Sequence, residues 1–195
     1  MQRLKQLSLE VEQVFADIGQ TYAQYQRDRG LFCRSGCGEC CLHRGIEATV
    51  LEMLPLAYSL LEEGKAESTL DALANHQQDG CFFYQRHSAD GKMGQCSVYL
   101  KRPGICRLFG AAGYNGREGE VLLSVCKNIK ADHPVAYADT LIALESDPPP
   151  MIRNGKEQIR QIDYELGGVN FPINEAMRQA LEKVLFEQYY AGLAE

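Results

Sequence analysis

With 195 residues, a net charge of −6 and 45% hydrophobic side chains, the chain is long enough for one domain burying about 70% of the surface its unfolded form would expose. Eight cysteines in that length fall below the density of small disulfide scaffolds. No apolar run reaches about 18 residues, and the opening MQRLKQLSLEVEQ has neither an apolar stretch nor a small-residue cleavage site. These features argue against a disulfide-stapled secreted module and a helical membrane span, and they predict a soluble, cytoplasmic protein with reduced thiols.

The pattern of apolar positions predicts an α+β chain, mostly helical, forming a single domain over 1–195. Leu4, Leu7, Val11, Val14, Ile18 and Tyr25 recur at three- and four-residue steps, which predicts a helix over 1–29 with Gly30 as its stop. Thr49-Val-Leu-Glu52 has the form of a capping box ahead of Met53, Leu54, Leu56, Leu60 and Leu61, so a second helix is expected from Thr49 to Glu63. Pro55 lies deep for a first-turn proline and marks a kink or a later start. Leu70 and Leu73 carry a short third helix over 67–76.

From Cys81 the character changes. CFFY (81–84) and CSVY (96–99) read as strands flanking a turn-rich QRHSADGKMGQ, and residues 110–114 and 120–126 read as a second hairpin round Asn115-Gly116. Arg102-Pro-Gly-Ile-Cys106-Arg107 reads as a turn. Helical pattern resumes at Pro134 and runs through Tyr137, Leu141, Ile142 and Leu144 until Asp147-Pro-Pro-Pro150 breaks it. A helix is expected over 156–166, ended by Gly167-Gly168. The last helix runs from Asn174 to Tyr190 with Met177, Ala180, Leu181, Val184 and Leu185 on one face. The resulting outline is a small cysteine-rich β and loop lobe at 33–126 between helical flanks at 1–30 and 131–195.

The lobe opens with LFCRSGCGECCLH, which sets Cys33, Cys37, Cys40 and Cys41 within nine residues among glycines. Short Cys-x-x-Cys spacings with glycine let backbone curl round an ion and offer amide N–H groups to the sulfurs, as a metal loop requires. Adjacent residues diverge, so the Cys40-Cys41 doublet needs a sharp bend or two separate centres. Cys81, Cys96, Cys106 and Cys126 follow downstream, and eight thiols suffice for two tetrahedral sites or for one iron–sulfur cluster with thiols to spare. Some of the eight could instead be buried as small hydrophobes, Cys126 in VLLSVC above all. A redox Cys37/Cys40 pair lacks the βαβ context it needs. His43 and His87 read as solvent-facing.

Charge is divided along the chain. Residues 81–130 carry eight Lys/Arg against three Asp/Glu, a net +5, whereas 131–195 carries five against eleven, a net −6. Positive charge beside thiolates lowers their pKa and offsets a thiolate–metal centre, and Arg102 and Arg107, which flank Cys106, are the candidate cofactor-contacting cations. A chain acidic overall gives no strong nucleic-acid signal.

In their order, Cys37-x-x-Cys40-Cys41, Cys81-Phe-Phe, Cys96-Ser-Val-Tyr99 and Arg102-Pro103-x-x-Cys106-Arg107 resemble the YkgJ-like cysteine-cluster family and its CxxCxxCC domain. The resemblance covers about 33–126. The first gap, Cys33-x-x-x-Cys37, is one residue longer than the family pattern. The resemblance implies chelation of zinc or iron through Cys33, Cys37, Cys40, Cys41, Cys81, Cys96, Cys106 and Cys126, and a flagellin-methylating branch implies association with an iron–sulfur cluster. All-sulfur ligation suits zinc or iron–sulfur and disfavours magnesium or calcium. The alternative is an iron–sulfur-dependent enzyme that modifies a protein or RNA partner, though no dinucleotide, phosphate-loop or His-Glu-x-x-His motif names a reaction.

Overall fold

A computed structural model of the chain describes residues 3–108 and 110–192. In chain order they form α1 (Arg3–Arg29), β1 (Glu47–Thr49), α2 (Val50–Glu62), α3 (Ala66–Ala74), β2 (Tyr84–Arg86), β3 (Gly94–Cys96), α4 (Gly104–Leu108), β4 (Ala111–Asn115), β5 (Val121–Val125), α5 (Lys127–Asp132), α6 (Pro134–Ile142), α7 (Ile152–Ile162), α8 (Tyr164–Gly167), β6 (Asn170–Pro172) and α9 (Ile173–Gly192). Two 3₁₀ turns, Glu39–Leu42 and Tyr99–Lys101, complete them. The class is α+β and mostly helical, as the sequence predicts, with three separate two-stranded antiparallel sheets among the described residues. None of the described helices is long and apolar enough to cross a membrane.

The chain divides into two compact units that draw on interleaved segments. One comprises Met1–Gln13, Gly36–Pro103 and Ile159–Glu195; the other comprises Val14–Ser35 and Gly104–Gln158. Both the cysteine-bearing stretch and the helical flanks read from the sequence therefore contribute to each unit.

In the first unit the organising contact is α2 against α9, with α3 packed on both. Ten consecutive or near-consecutive residues of α2 are buried, Val50 to Leu60, because the helix is covered on several sides rather than along one stripe. On α9 the buried set is Ile173, Ala176, Met177, Ala180, Leu181 and Val184, the face read from the sequence. Its alanines let the two backbones approach closely. The capping box is formed: the Glu52 amide donates to Thr49 Oγ1 at 3.2 Å, and the Thr49 amide donates to Glu52 Oε2 at 2.9 Å. Pro55 is accommodated inside α2 without ending it. Directly before the cap, β1 pairs with β6 through Glu47–Pro172, Ala48–Phe171 and Thr49–Asn170.

The second unit has its own core of Ile18, Tyr22, Tyr25, Leu31, Leu108, Ala111, Ala112, Leu123 and Ile129. β4 and β5 form the expected hairpin, paired from Ala111–Val125 to Asn115–Val121. At Gly113 the segment Pro149-Pro150-Met151 lies flat against it: the Gly113 amide donates to the Pro150 carbonyl at 2.9 Å, and a Cβ there would stand 2.5 Å from Met151 Sδ. Only glycine leaves room for that close approach.

Several elements differ from expectation. The buried positions of α1 are Leu7, Val11, Phe15, Ile18, Tyr22 and Tyr25, so Phe15 and Tyr22 belong to the stripe and Val14 is half-buried. The helix expected over 156–166 is two, α7 starting earlier and α8 following Asp163, whose carboxylate accepts from the Leu166 amide as an N-cap. α4 replaces part of a stretch read as a turn, and α5 and β6 fall where the sequence pattern assigns no element. The first hairpin pairs 84–86 with 94–96, displaced inward from the CFFY and CSVY runs. Residues 81–83 are occupied by a turn closed by the Tyr84 amide on the Cys81 carbonyl at 3.1 Å.

Candidate metal centre

Glycine geometry builds the loop that holds the first cysteines. Gly36 has φ +70°, a left-handed turn disfavoured for other residues, and its carbonyl accepts the Gly94 amide at 2.8 Å. Cys37 bridges Met93, and the Gly38 amide donates to the Lys92 carbonyl at 2.9 Å, so the loop is laced to the tip of the β2–β3 hairpin. A Cβ on Gly38 would lie 1.9 Å from Tyr84 Oη. That ring fills the space under the loop, and its hydroxyl donates to the Gly91 carbonyl at 2.7 Å.

The chain then tightens into the 3₁₀ turn Glu39–Leu42, with the Cys41 amide on the Gly38 carbonyl (2.9 Å) and the His43 amide on the Cys40 carbonyl (3.2 Å). The chain thus bends sharply at the doublet, one of the two arrangements expected for it, and the Cys40 and Cys41 side chains hydrogen-bond to each other. Next to it runs Gly80-Cys81-Phe82. The Cys81 amide donates to the Cys41 carbonyl at 2.8 Å. Gly80 has φ +92°, and a Cβ there would stand 2.5 Å from that same carbonyl oxygen. The Asn174 amide, from the first turn of α9, donates to the Gly80 carbonyl and accepts from the Phe82 amide, each at 2.9 Å.

A recurring feature is an amide N–H directed at sulfur from two residues downstream. Cys81 sulfur accepts from Phe83, Cys96 sulfur from Val98, and, in the second unit, Cys126 sulfur from Asn128 at 3.4 Å. Such bonds favour the thiolate, the form a metal ligand takes. Opposing them, burial pushes the Cys81 thiol up to about 11 and also raises that of Cys96, and nearby thiolates add to both. Cys40 differs: the Cys41 side-chain hydrogen bond holds its thiol down at about 6, with backbone amides and Arg102 acting in the same direction against partial desolvation. Cys40, Cys81 and Cys96 are thus near enough to influence one another electrostatically.

The first unit therefore contains Cys37, Cys40, Cys41, Cys81 and Cys96, with the Arg102 charge acting on Cys40 and Cys96; Arg102 stacks on the Tyr99 ring at 3.5 Å and its Nε donates to the Tyr99 carbonyl at 2.9 Å. The second unit contains Cys33, exposed and one residue before the Arg34–Asp132 ion pair, Cys106 in α4, and Cys126 as N-cap of α5. Cys126 is half-buried. Arg107 lies over the Phe15 ring at 4.7 Å, a stacking contact in that unit. None of the eight cysteines is in a disulfide, and His43 and His87 are both exposed.

Among the described residues no three Cys, His, Asp or Glu side chains converge closely enough to hold an ion. The donor chemistry nevertheless fits a soft metal: grouped thiols, amide N–H bonds to sulfur and an adjacent guanidinium. Asn174 was legible in the sequence only as the start of a helix; nothing local signals a clamp on residues more than 90 positions earlier. Residues 32–127 match the CxxCxxCC family model, described as "Putative zinc- or iron-chelating domain". No curated protein and no solved structure matches the chain.

Proposed function

Since residues 32–127 belong to the CxxCxxCC family, we propose that this chain chelates zinc or iron through thiolates, with Cys37, Cys40, Cys41, Cys81 and Cys96 as the ligand pool of the first unit. Cys33, Cys106 and Cys126 are the pool of the second. The observation that carries the reading is the amide N–H aimed at sulfur from two residues downstream at Cys81 and Cys96, neither of which caps a helix. A buried thiol with no metal to serve has little use for a donor that favours its anion, whereas a ligand needs one. Because the sulfurs are grouped but not closed round a point, binding draws them together, and ligation energy becomes folding energy for the loops. The setting is a reducing cytoplasm, where thiols stay available.

Anaerobic purification followed by elemental analysis tests this directly. At least one equivalent of zinc plus iron per chain is expected, and less than that after reconstitution with either metal overturns the proposal. The absorption spectrum separates the forms: a zinc thiolate site is colourless, a mononuclear iron thiolate site absorbs by charge transfer, and an iron–sulfur cluster gives broad visible bands.

A further inference from the structure

We infer that Asn174, which lies outside the segment matched by the family, is a positioning residue for the Cys81 sulfur, so that α9 and not only the cysteine loops sets the ligand geometry. This rests on the chelation reading. Asn174 is the second residue of α9, yet its amide does not cap its own helix. It spans the two peptide units on either side of Cys81, donating to the Gly80 carbonyl and accepting from the Phe82 amide, each at 2.9 Å. The amide between them, that of Cys81 itself, is taken by the Cys41 carbonyl at 2.8 Å.

Three consecutive backbone groups round one sulfur are therefore fixed by partners distant in sequence, two of them by a single side chain. Few side chains carry both a donor and an acceptor in one plane at this reach; aspartate retains only the acceptor, and alanine neither. The helix that holds Asn174 is itself anchored, since the Ile173 amide donates to the Ile46 carbonyl at 2.9 Å and Ile173, Ala176 and Met177 are buried. The clamp thus adds the position of a packed helix to a loop otherwise seated by the buried Phe83 ring and the Phe82 ring against it. Fixing the backbone before the ion arrives removes ordering that binding would otherwise have to supply, the general effect of groups that orient ligands from outside the coordination sphere.

The test uses Asn174→Ala and Asn174→Asp in the full chain, with two readouts: zinc affinity by competition with a chromophoric chelator, and alkylation rates of individual cysteines in the metal-free protein by mass spectrometry. Asn174→Ala is expected to weaken zinc about 10–100-fold and to speed alkylation of Cys81 selectively, leaving Cys106 and Cys126 at their wild-type rates. Asn174→Asp should fall between. Zinc affinity within about twofold of wild type, or faster alkylation of all cysteines alike, overturns the inference. Should Asn174→Ala lose helix content by circular dichroism, Asn174→Asp decides by the same criteria. A wild-type chain that takes up no metal removes the chelation reading instead, and selective exposure of Cys81 in the variants then still decides whether Asn174 positions that sulfur.

Discussion

The α2–α9 pair and the loops that bear Cys37, Cys40, Cys41, Cys81 and Cys96 belong to the same unit, yet opposite means hold them. On these helices Leu51, Leu54, Met53, Met177 and Leu181 are sealed from solvent, and one polar contact is added where the Tyr58 hydroxyl donates to Glu187 Oε2 at 2.5 Å. In the loops at 36–43 and 80–96 the buried large hydrophobic side chain is Phe83; the rest of the shape is imposed by Gly36, Gly38, Gly80 and Gly94, by the Tyr84 ring, and by amide bonds such as Cys81 to Cys41. A region held by burial keeps its structure with or without a ligand, whereas one held by exposed backbone hydrogen bonds opens at low cost unless something joins its parts.

Metal removal is the largest perturbation of that contrast, since structural zinc contributes about 10–16 kcal/mol apparent in small peptides. Chelation of the loaded protein should abolish hydrogen-exchange protection at residues 36–43 and 80–96 while α2 and α9 stay protected. Uniform loss along the chain would mean the helices depend on the ion as well. In the metal-free protein the thiols should then separate by reactivity. At pH 7, above the value of about 6 for Cys40 and far below the value of about 11 for Cys81, iodoacetamide should modify Cys40 first and Cys81 much later, because only the thiolate attacks. Equal rates in a mass-spectrometric time course would remove the hydrogen bond from Cys41 as the cause.

Substitutions attack each side separately. Leu181→Ala, at a position with 0% exposure, should cost about 2–5 kcal/mol in urea unfolding whether or not metal is present. Gly38→Ala forces the Tyr84 ring aside and should cost about 1–3 kcal/mol, with zinc affinity falling too; an unchanged affinity would show that the loop tolerates a displaced Tyr84. Thr49→Ala is the mildest, about 1 kcal/mol, from a capping box at the start of α2, and should leave metal binding as it was.

The helices were legible because their signals are local. The Thr49–Glu52 box, the stripe of α9 and the stop at Gly30 each sit within a few residues of what they determine. Phe15 was displaced by Val14 in the reading of α1 because both fit a three- or four-step pattern, and only packing chooses between them. The cysteines were legible as a set, since nothing else explains four in nine residues. How they are shared between units was not, and neither was the inward shift of the β2–β3 pairing. That shift depends on Gly94, where a Cβ would meet the Gln85 carbonyl at 2.2 Å and the Tyr84 ring, a contact no local pattern announces. β6 and Asn174 escaped for the same reason: their partners are more than 90 positions away in the chain.

The pairing of β1 with β6 has a consequence for how far the cysteine segment can be treated as a module. A fragment limited to 32–127 would carry β1 without its partner strand and α2 without α9, leaving an open strand edge beside an uncovered, nearly all-apolar helix. Both are surfaces on which chains stick to one another. Excised in that way, the segment should precipitate or self-associate even with its full complement of thiols, so the span that is recognisable by sequence is smaller than the span that can be inherited, transplanted or expressed as a working part.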